Sequence, residues 1–387
     1  MSEIRKIAEQ IKDRLIQVRR DFHRYPEIGF QEKRTSKKIA EILGEIGLDV
    51  KTGVAKTGVV GLLKGSCKGK TVALRADMDA LNVDENNTVS YRSRNKGIMH
   101  ACGHDGHMSM VIGAAIVLSR FKKQIHGSVK FIFQPAEENI GGAEVMMRHG
   151  VLKDPQVDAI FGLHLWPYIN FGAIGIRSGA IMASMDNFSI IVKGKGGHGA
   201  MPHTAVNPLI VASHIFQALQ TIKNYNVNAL NPCVISICSI NGGTSYNVIP
   251  DEVKMKGTFR TFSDHTRNKV KKRMLEIIEG IAKSFGAKYT LYFEKGYPVT
   301  INNASLVNLV VSSAKKLDVR VIQPNLSMVS EDFSFYQKEI PGVYFWLGVK
   351  RDKNPIALHN GNFNFDEDIL PAGTSLLAEC ALGYLSH

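Results

Sequence analysis

Apolar positions recur at steps of three and four from the start of the chain. Ile4, Ile7, Ile11, Leu15, Val18 and Phe22 fall on one face of a helix. A second helix is expected over residues 35 to 46, where Gly47 stops it. The pattern then changes to short apolar runs: "GVVGLL" (58–63), "TVALRA" (71–76), "VKFIFQ" (129–134) and "AIFGLH" (159–164), each the length of a buried strand. Between the second and third lies a helical pattern over residues 108 to 121. Strands alternating with helices predict an α/β domain, a mixed, largely parallel sheet flanked by helices.

From Ser184 the order differs. "FSIIVKG" reads as a strand, "NPLIVASHIFQALQTI" as a helix, "CVISICSI" and "EVKMKGTFRTF" as two strands, residues 264 to 285 as a charged helix, and "KYTLYFEK" as a last strand. That βαββαβ order is the ferredoxin-like α+β arrangement. After it the first pattern resumes, with "YFWLGV" as a strand and "LAECALGYL" as a helix. The expected organisation is a discontinuous domain, residues 1–183 and 298–387, with a second domain, residues 184–297, inserted into it.

Composition narrows the class. With 44% apolar and 21% charged residues, the 387-residue chain has the balance of a globular protein rather than a disordered one. No apolar run approaches the ~20 residues that cross a bilayer, and "MSEIRKIAEQIKDRL" is amphipathic and acid-bearing, unlike a signal peptide. Five cysteines, an odd number, do not make a disulfide scaffold and point to a reducing cytoplasm. The net charge of +13 raises nucleic acid as a partner. The basic residues are spread, however, and no nucleic-acid motif accompanies them, so a basic surface that attracts small anions is the expectation, with no nucleic-acid or membrane partner.

The chemistry is concentrated in "MHACGHDGHM", where His100, Cys102, His104, Asp105 and His107 share ten positions. A structural zinc site would need a second ligand cluster, and Cys233 and Cys238 lie in or beside a strand of the inserted domain. A redox cysteine would need a resolving partner nearby. A catalytic metal centre with further donors elsewhere fits better. Three strand-like runs lead into such donors: "TVALRA" into Asp77, "VKFIFQP" into Glu137 and Glu138, and "AIFGLH" into His164. Sites in open α/β sheets lie beyond the carboxyl ends of strands. Adjacent glutamates can divide the work of metal-assisted hydrolysis, one binding metal and the other taking a proton from water. His359, His198 in the glycine-rich "GKGGHGAMPH", and Asn247 with Arg260 are weaker candidates singly. An Arg with an Asn could receive a substrate carboxylate.

In order, "RRDFHRYPEIGFQE", "KTGVVG", "LRADMDAL", "MHACGHDGHM", "FQPAEE", "GGHGAMPH", "NVIPDEV", "SEDFSFY" and "LHNGNFNFDEDILPAG" span nearly the whole chain. In these motifs the sequence resembles the metal-dependent amidohydrolases of the aminoacylase and carboxypeptidase superfamily, in the branch of hippurate hydrolase, N-acyl-L-amino-acid amidohydrolases and auxin-conjugate hydrolases. The resemblance implies two divalent metals per subunit (Zn, Mn, Co or Ni) that share a bridging thiolate on Cys102. His104 and Glu138 would complete one metal's ligands, His164 and His359 the other's. Glu137 would be the general base and Asp77 an acid behind the ligands. The inserted domain would act as lid and dimerisation element, with His198 reaching a partner's site and Asn247 and Arg260 holding a substrate carboxylate. The implied reaction is hydrolysis of N-acyl-L-amino acids; dipeptidase, carboxypeptidase and N-acetyl-diaminopimelate deacetylase activities are the alternatives. Two positions depart from the branch's usual pattern, Asn82 after "DMDAL" and Asn207 before Pro208.

Overall fold

The computed structural model describes residues 2–138 and 141–386. Two compact units divide the chain: Met1–Ile181, Ile301–Asn325 and Asp332–His387 form the first, Met182–Thr300 and Leu326–Glu331 the second. The short segment Leu326–Glu331 thus groups with the second unit, outside the 184–297 span expected from sequence.

Among the described residues the first unit holds an eight-stranded sheet. Its strands follow the order Asp49–Val54, Gly58–Lys64, His126–Gln134, Cys67–Asp77, Ala159–Asn170, Gly342–Lys350, Ile174–Gly175 and Val321–Ile322. The strands from His126–Gln134 to Gly342–Lys350 run parallel, and antiparallel pairings lie to either side of them. Such strands are covered on both faces, which is why they read as unbroken apolar runs. The helix His104–Arg120 is buried from His104 to Leu118 and shares the core with the helix Leu370–Leu385. An all-round buried helix has no polar face to give it a period.

Two expectations shift here. The helical face over residues 4 to 22 is two helices, Glu3–Gln10 and Lys12–Arg24. They meet at Ile11 (φ −97°, ψ 8°), and the backbone hydrogen bonds continue across it. On that face Arg19 rather than Val18 is buried. Its guanidinium donates to Asp105 at 2.7 Å and to Glu367 at 3.1 Å, and His23 Nδ1 lies 2.8 Å from the same Asp105 oxygen. Burial is tolerable because each charge is paired.

The second unit has the βαββαβ order. Its antiparallel sheet runs Cys233–Asn241, Glu252–Thr261, Ser184–Lys193, Lys288–Glu294. The helices Pro208–Tyr225 and Asp264–Ser284 cover one face. Val211, Ile215, Leu219 and Ile222 from the first helix and Val270, Met274 and Ile278 from the second meet Ile190, Val192, Val253 and Met255 of the strands. Asn207 caps the first helix by accepting from the Leu209 N–H, with Pro208 at the first helical position. The departure from the branch's pattern at Asn207 therefore keeps a capping side chain. Among the described residues no helix is long and apolar enough to cross a membrane.

Asp186, fully buried on the strand Ser184–Lys193, joins that sheet to the helix Asp264–Ser284. Arg267 reaches it at 2.5 Å and Lys271 at 2.8 Å. Removing one side of a buried pair leaves unpaired charge. Asp186→Ala is therefore expected to lower the unfolding free energy by about 3 kcal/mol, read from the midpoint of a urea titration.

Candidate metal centre

The parallel strands bring the site of the first unit together. Asp77 ends the strand Cys67–Asp77 and sits in register with Gln134, so Pro135 carries the adjoining chain over the sheet edge to Glu137 and Glu138. Arg75 pairs with Gly162, which places His164 level with Asp77 on the next strand. His164 is not a strand end as expected from sequence: the strand runs on to Asn170. Cys102 and His104 arrive from the other side, where Gly103, in the left-handed region at φ 87°, turns the chain into the helix His104–Arg120. His359 comes from a loop; its backbone, at φ 63°, is tied to the Ala101 carbonyl by a 2.8 Å hydrogen bond.

These donors converge. Ligand atoms of Cys102, His104 and His164 lie within 4.8 Å of one another, as do those of Cys102, Glu138 and His359, and those of His104, Glu137 and Glu138. Cys102 Sγ is 3.4 Å from His164 Nε2, and Glu138 Oε1 is 3.3 Å from His359 Nε2. The histidine tautomers are set by the backbone. His104 Nδ1 donates to the Asp79 carbonyl at 2.9 Å, and His164 Nδ1 donates to the Leu165 carbonyl at 2.6 Å. Each ring therefore presents its Nε2 lone pair to the cluster. His107 does not: its Nδ1 donates to Asp77 at 2.7 Å and its Nε2 accepts the Leu165 N–H at 2.9 Å. Both of its nitrogens are used.

The donor set fits a divalent cation on two further grounds. Among the described residues, His104 Nε2 and Glu138 Oε1 are buried atoms that make no hydrogen bond, the latter facing imidazole nitrogens, at 3.3 Å from His359 and 3.8 Å from His104. The electrostatics ask for positive charge at the same place. Burial alone would lower the His104 pKa, but the carboxylates of Asp77, Glu138 and Asp79 raise it to about 10. Burial, together with the charges of Glu138, Glu137 and Asp77, holds the Cys102 thiol well above its usual range. Asp77 is held well below its own range: burial opposes this, and His104, His107 and Arg75 overcome it. A cation among these groups would invert the first two shifts, since thiolate and neutral imidazole are the binding forms.

The remaining candidates belong to the second unit. His198 and Asn247 are exposed neighbours, joined by a short ladder that pairs His198 with Val248 and by the Gly199 N–H to the Asn247 carbonyl at 2.8 Å. The ladder strands are two residues each, too short for periodicity to reveal. Arg260 is half-buried on the strand Glu252–Thr261 and donates to Ser330 Oγ at 3.0 Å.

Sequence reasoning missed several supporting residues. Asp79 accepts the backbone N–H groups of Glu137 and Glu138, each at 3.0 Å. Arg75, buried in an apolar strand, links Asp77 at 2.7 Å to Asp332 at 2.8 Å. A charged residue inside the run "TVALRA" is the one local signal for that link. Of the histidine-rich motif, Asp105 serves the Arg19 ion pair, and His100 is buried, its pKa pushed by that burial down to about 3.

The model of peptidase family M20/M25/M40 matches residues 73–383. A thermostable carboxypeptidase of Saccharolobus solfataricus is 40% identical over 379 residues, covering 96% of this chain and 96% of its own. An N-acetylcysteine deacetylase of Bacillus subtilis is 39% identical, over 95% of this chain and 96% of its own. The crystal structure of a dinuclear metal-binding peptidase of the M20 family, also from Bacillus subtilis, matches with a TM-score of 0.87 at 36% identity, over 98% of this chain and 99% of that one.

The two kinds of histidine should behave differently. His104→Ala is expected to weaken zinc or manganese binding by more than tenfold, measured by competition with a chromophoric chelator. His107→Gln, whose ring packs on His164 and bonds Asp77 but offers no lone pair to the cluster, is expected to cost about tenfold.

Proposed function

The chain belongs to peptidase family M20/M25/M40, enzymes that hydrolyse amide bonds, and on that premise we propose that it cleaves N-acyl-L-amino acids to a carboxylic acid and a free amino acid. The observation that carries the reading is the pair Glu137–Glu138: Glu138 lies against His359 and His104, while its neighbour Glu137 is buried beside them. The likeness to a deacetylase of an N-acylated amino acid supports the substrate class.

Cys102, His104 and His164, whose ligand atoms lie together, would hold one divalent cation, and Cys102 again with Glu138 and His359 a second, so proximity favours His164 over Glu138 as the companion of His104. When bound, such cations acidify water and polarise a carbonyl oxygen. Glu137 takes a proton from the attacking water as the water oxygen bonds to the acyl carbon. It returns that proton to the amide nitrogen as the C–N bond breaks, so a single carboxylate serves as base and then acid. Asp77 holds His107 and stands behind His104. His198 donates to the carbonyl oxygen as charge develops on it, reaching the site from a partner chain in a homodimer built through the second unit. Arg260 and Asn247 hold the substrate's free carboxylate. A reduced Cys102 suits the cytoplasm.

Cleavage of free dipeptides or peptide carboxyl termini is the second reading, favoured by the likeness to a carboxypeptidase. Hydrolysis of N-acetylmethionine and hippurate should disappear with a chelator and return with one of Mn, Zn, Co or Ni. Faster cleavage of dipeptides than of either compound would favour the second reading. Glu137→Gln should lower kcat by a factor of about 100 to 10,000 while cation binding persists. Co-expressing His198→Ala with Glu137→Ala chains tests action across the dimer: mixed dimers then regain one complete site, roughly a quarter of all sites for random pairing. No recovery would place His198 in its own chain's site.

A further inference from the structure

Glu32, in "PEIGFQE", has no part in the chemistry above, yet its side chain is fully buried. One carboxylate oxygen accepts the backbone N–H of Ala136 at 3.0 Å, and the other accepts the Thr57 hydroxyl at 2.5 Å. Ala136 is the residue before Glu137. With the two bonds to Asp79, three consecutive amides, Ala136, Glu137 and Glu138, are held by two carboxylates from separate parts of the chain.

The backbone here is strained. Among the described residues, seven non-glycine residues lie in the left-handed region, and four of them surround Glu32: Phe30 (φ 62°), Ala55 (φ 52°), Lys56 (φ 73°) and Ala136 (φ 54°). Such conformations persist only where the surroundings over-determine them, and they gather where geometry is being imposed. The turn at Ala55 and Lys56 delivers Thr57. The Lys56 ammonium lies 4.7 Å from the centre of the Phe30 ring. A Cβ on Gly29 would stand 2.8 Å from the Ala136 Cβ, so the segment before Glu32 passes Ala136 as closely as a glycine allows.

We propose that Glu32 is a positioning residue: with Thr57 it fixes Ala136 in its left-handed turn and so sets where the Glu137 carboxylate points. This rests on the reading of Glu137 as the base. Satisfying one amide does not by itself call for a buried carboxyl, which is costly to desolvate. Held between a hydroxyl and an amide, the carboxyl instead defines a direction.

The test compares Glu32→Ala, Glu32→Gln and Thr57→Val with the parent chain, each loaded with the activating metal. kcat and KM are measured on N-acetylmethionine. Amide hydrogen exchange is followed by mass spectrometry in the peptide that contains Ala136, Glu137 and Glu138. Glu32→Ala should lower kcat about 100-fold, the scale of a misplacement of roughly 1 Å, leave KM within about threefold, and speed exchange in that peptide. Glu32→Gln keeps an oxygen for the Ala136 N–H and an amide group for Thr57, so it should hold kcat within about tenfold. Thr57→Val should lower kcat about tenfold, and it carries the test if Glu32→Ala does not fold. Unchanged kcat and exchange in Thr57→Val and Glu32→Ala, or equal losses in Glu32→Ala and Glu32→Gln, would overturn the proposal. The exchange measurement needs no substrate. Faster exchange in a series whose parent cleaves no N-acyl amino acid would leave the clamp standing and remove the substrate reading.

Discussion

Four carboxylates and a thiol gathered around one set of histidines are hard to bury. In a low-dielectric interior each ionised group raises the cost of ionising the next. The first unit meets this constraint by placing positive charge and donors behind its two aspartates. Asp77 is flanked by Arg75 and His107, and Asp79 is occupied by main-chain N–H groups. What is left uncompensated faces inward, at His104 Nε2 and Glu138 Oε1. The architecture concentrates its electrostatic deficit in one place, where a metal-dependent hydrolase needs it.

The sheet makes that concentration possible. Parallel strands end at the same level, so residues far apart in sequence arrive together with little loop between them. The helix His104–Arg120 is buried because it closes the site from the other side, and its first turn is polar because those side chains are spoken for: His104 by the Asp79 carbonyl, Asp105 by Arg19, His107 by Asp77.

That polar turn shows what was legible in the sequence. Periodicity found the later part of the helix and lost its start, since His104, Asp105 and Gly106 do not read as apolar positions although all are buried. The candidate site residues were visible because their chemistry is rare and clustered, as in "MHACGHDGHM", or repeated at strand ends, as with Asp77 and Glu137–Glu138. The groups that orient them were not. Arg75 and Asp332 are separated by 257 positions, and Arg19 and Asp105 by 86. Neither pair has a local signature, because an acid or an arginine in one segment does not say which segment it will face. His164 was found but placed at a strand end, because a strand continuing through a buried histidine looks like a strand interrupted by one.

His359 differs from the other donors. Cys102, His104, His164 and the Glu138 side chain are buried, whereas the His359 side chain keeps about half of its surface exposed, at 51%. It is also the donor carried on a loop rather than on a strand, a strand's end or a helix entry. A cluster whose other donors are buried has a threshold as well as a floor, and His359 stands at it. As a ligand His359 would add to affinity like the buried groups, and being exposed it would also be the donor that an entering ion meets first. The loop that holds His359 in its left-handed turn is thus where the donor set opens to solvent.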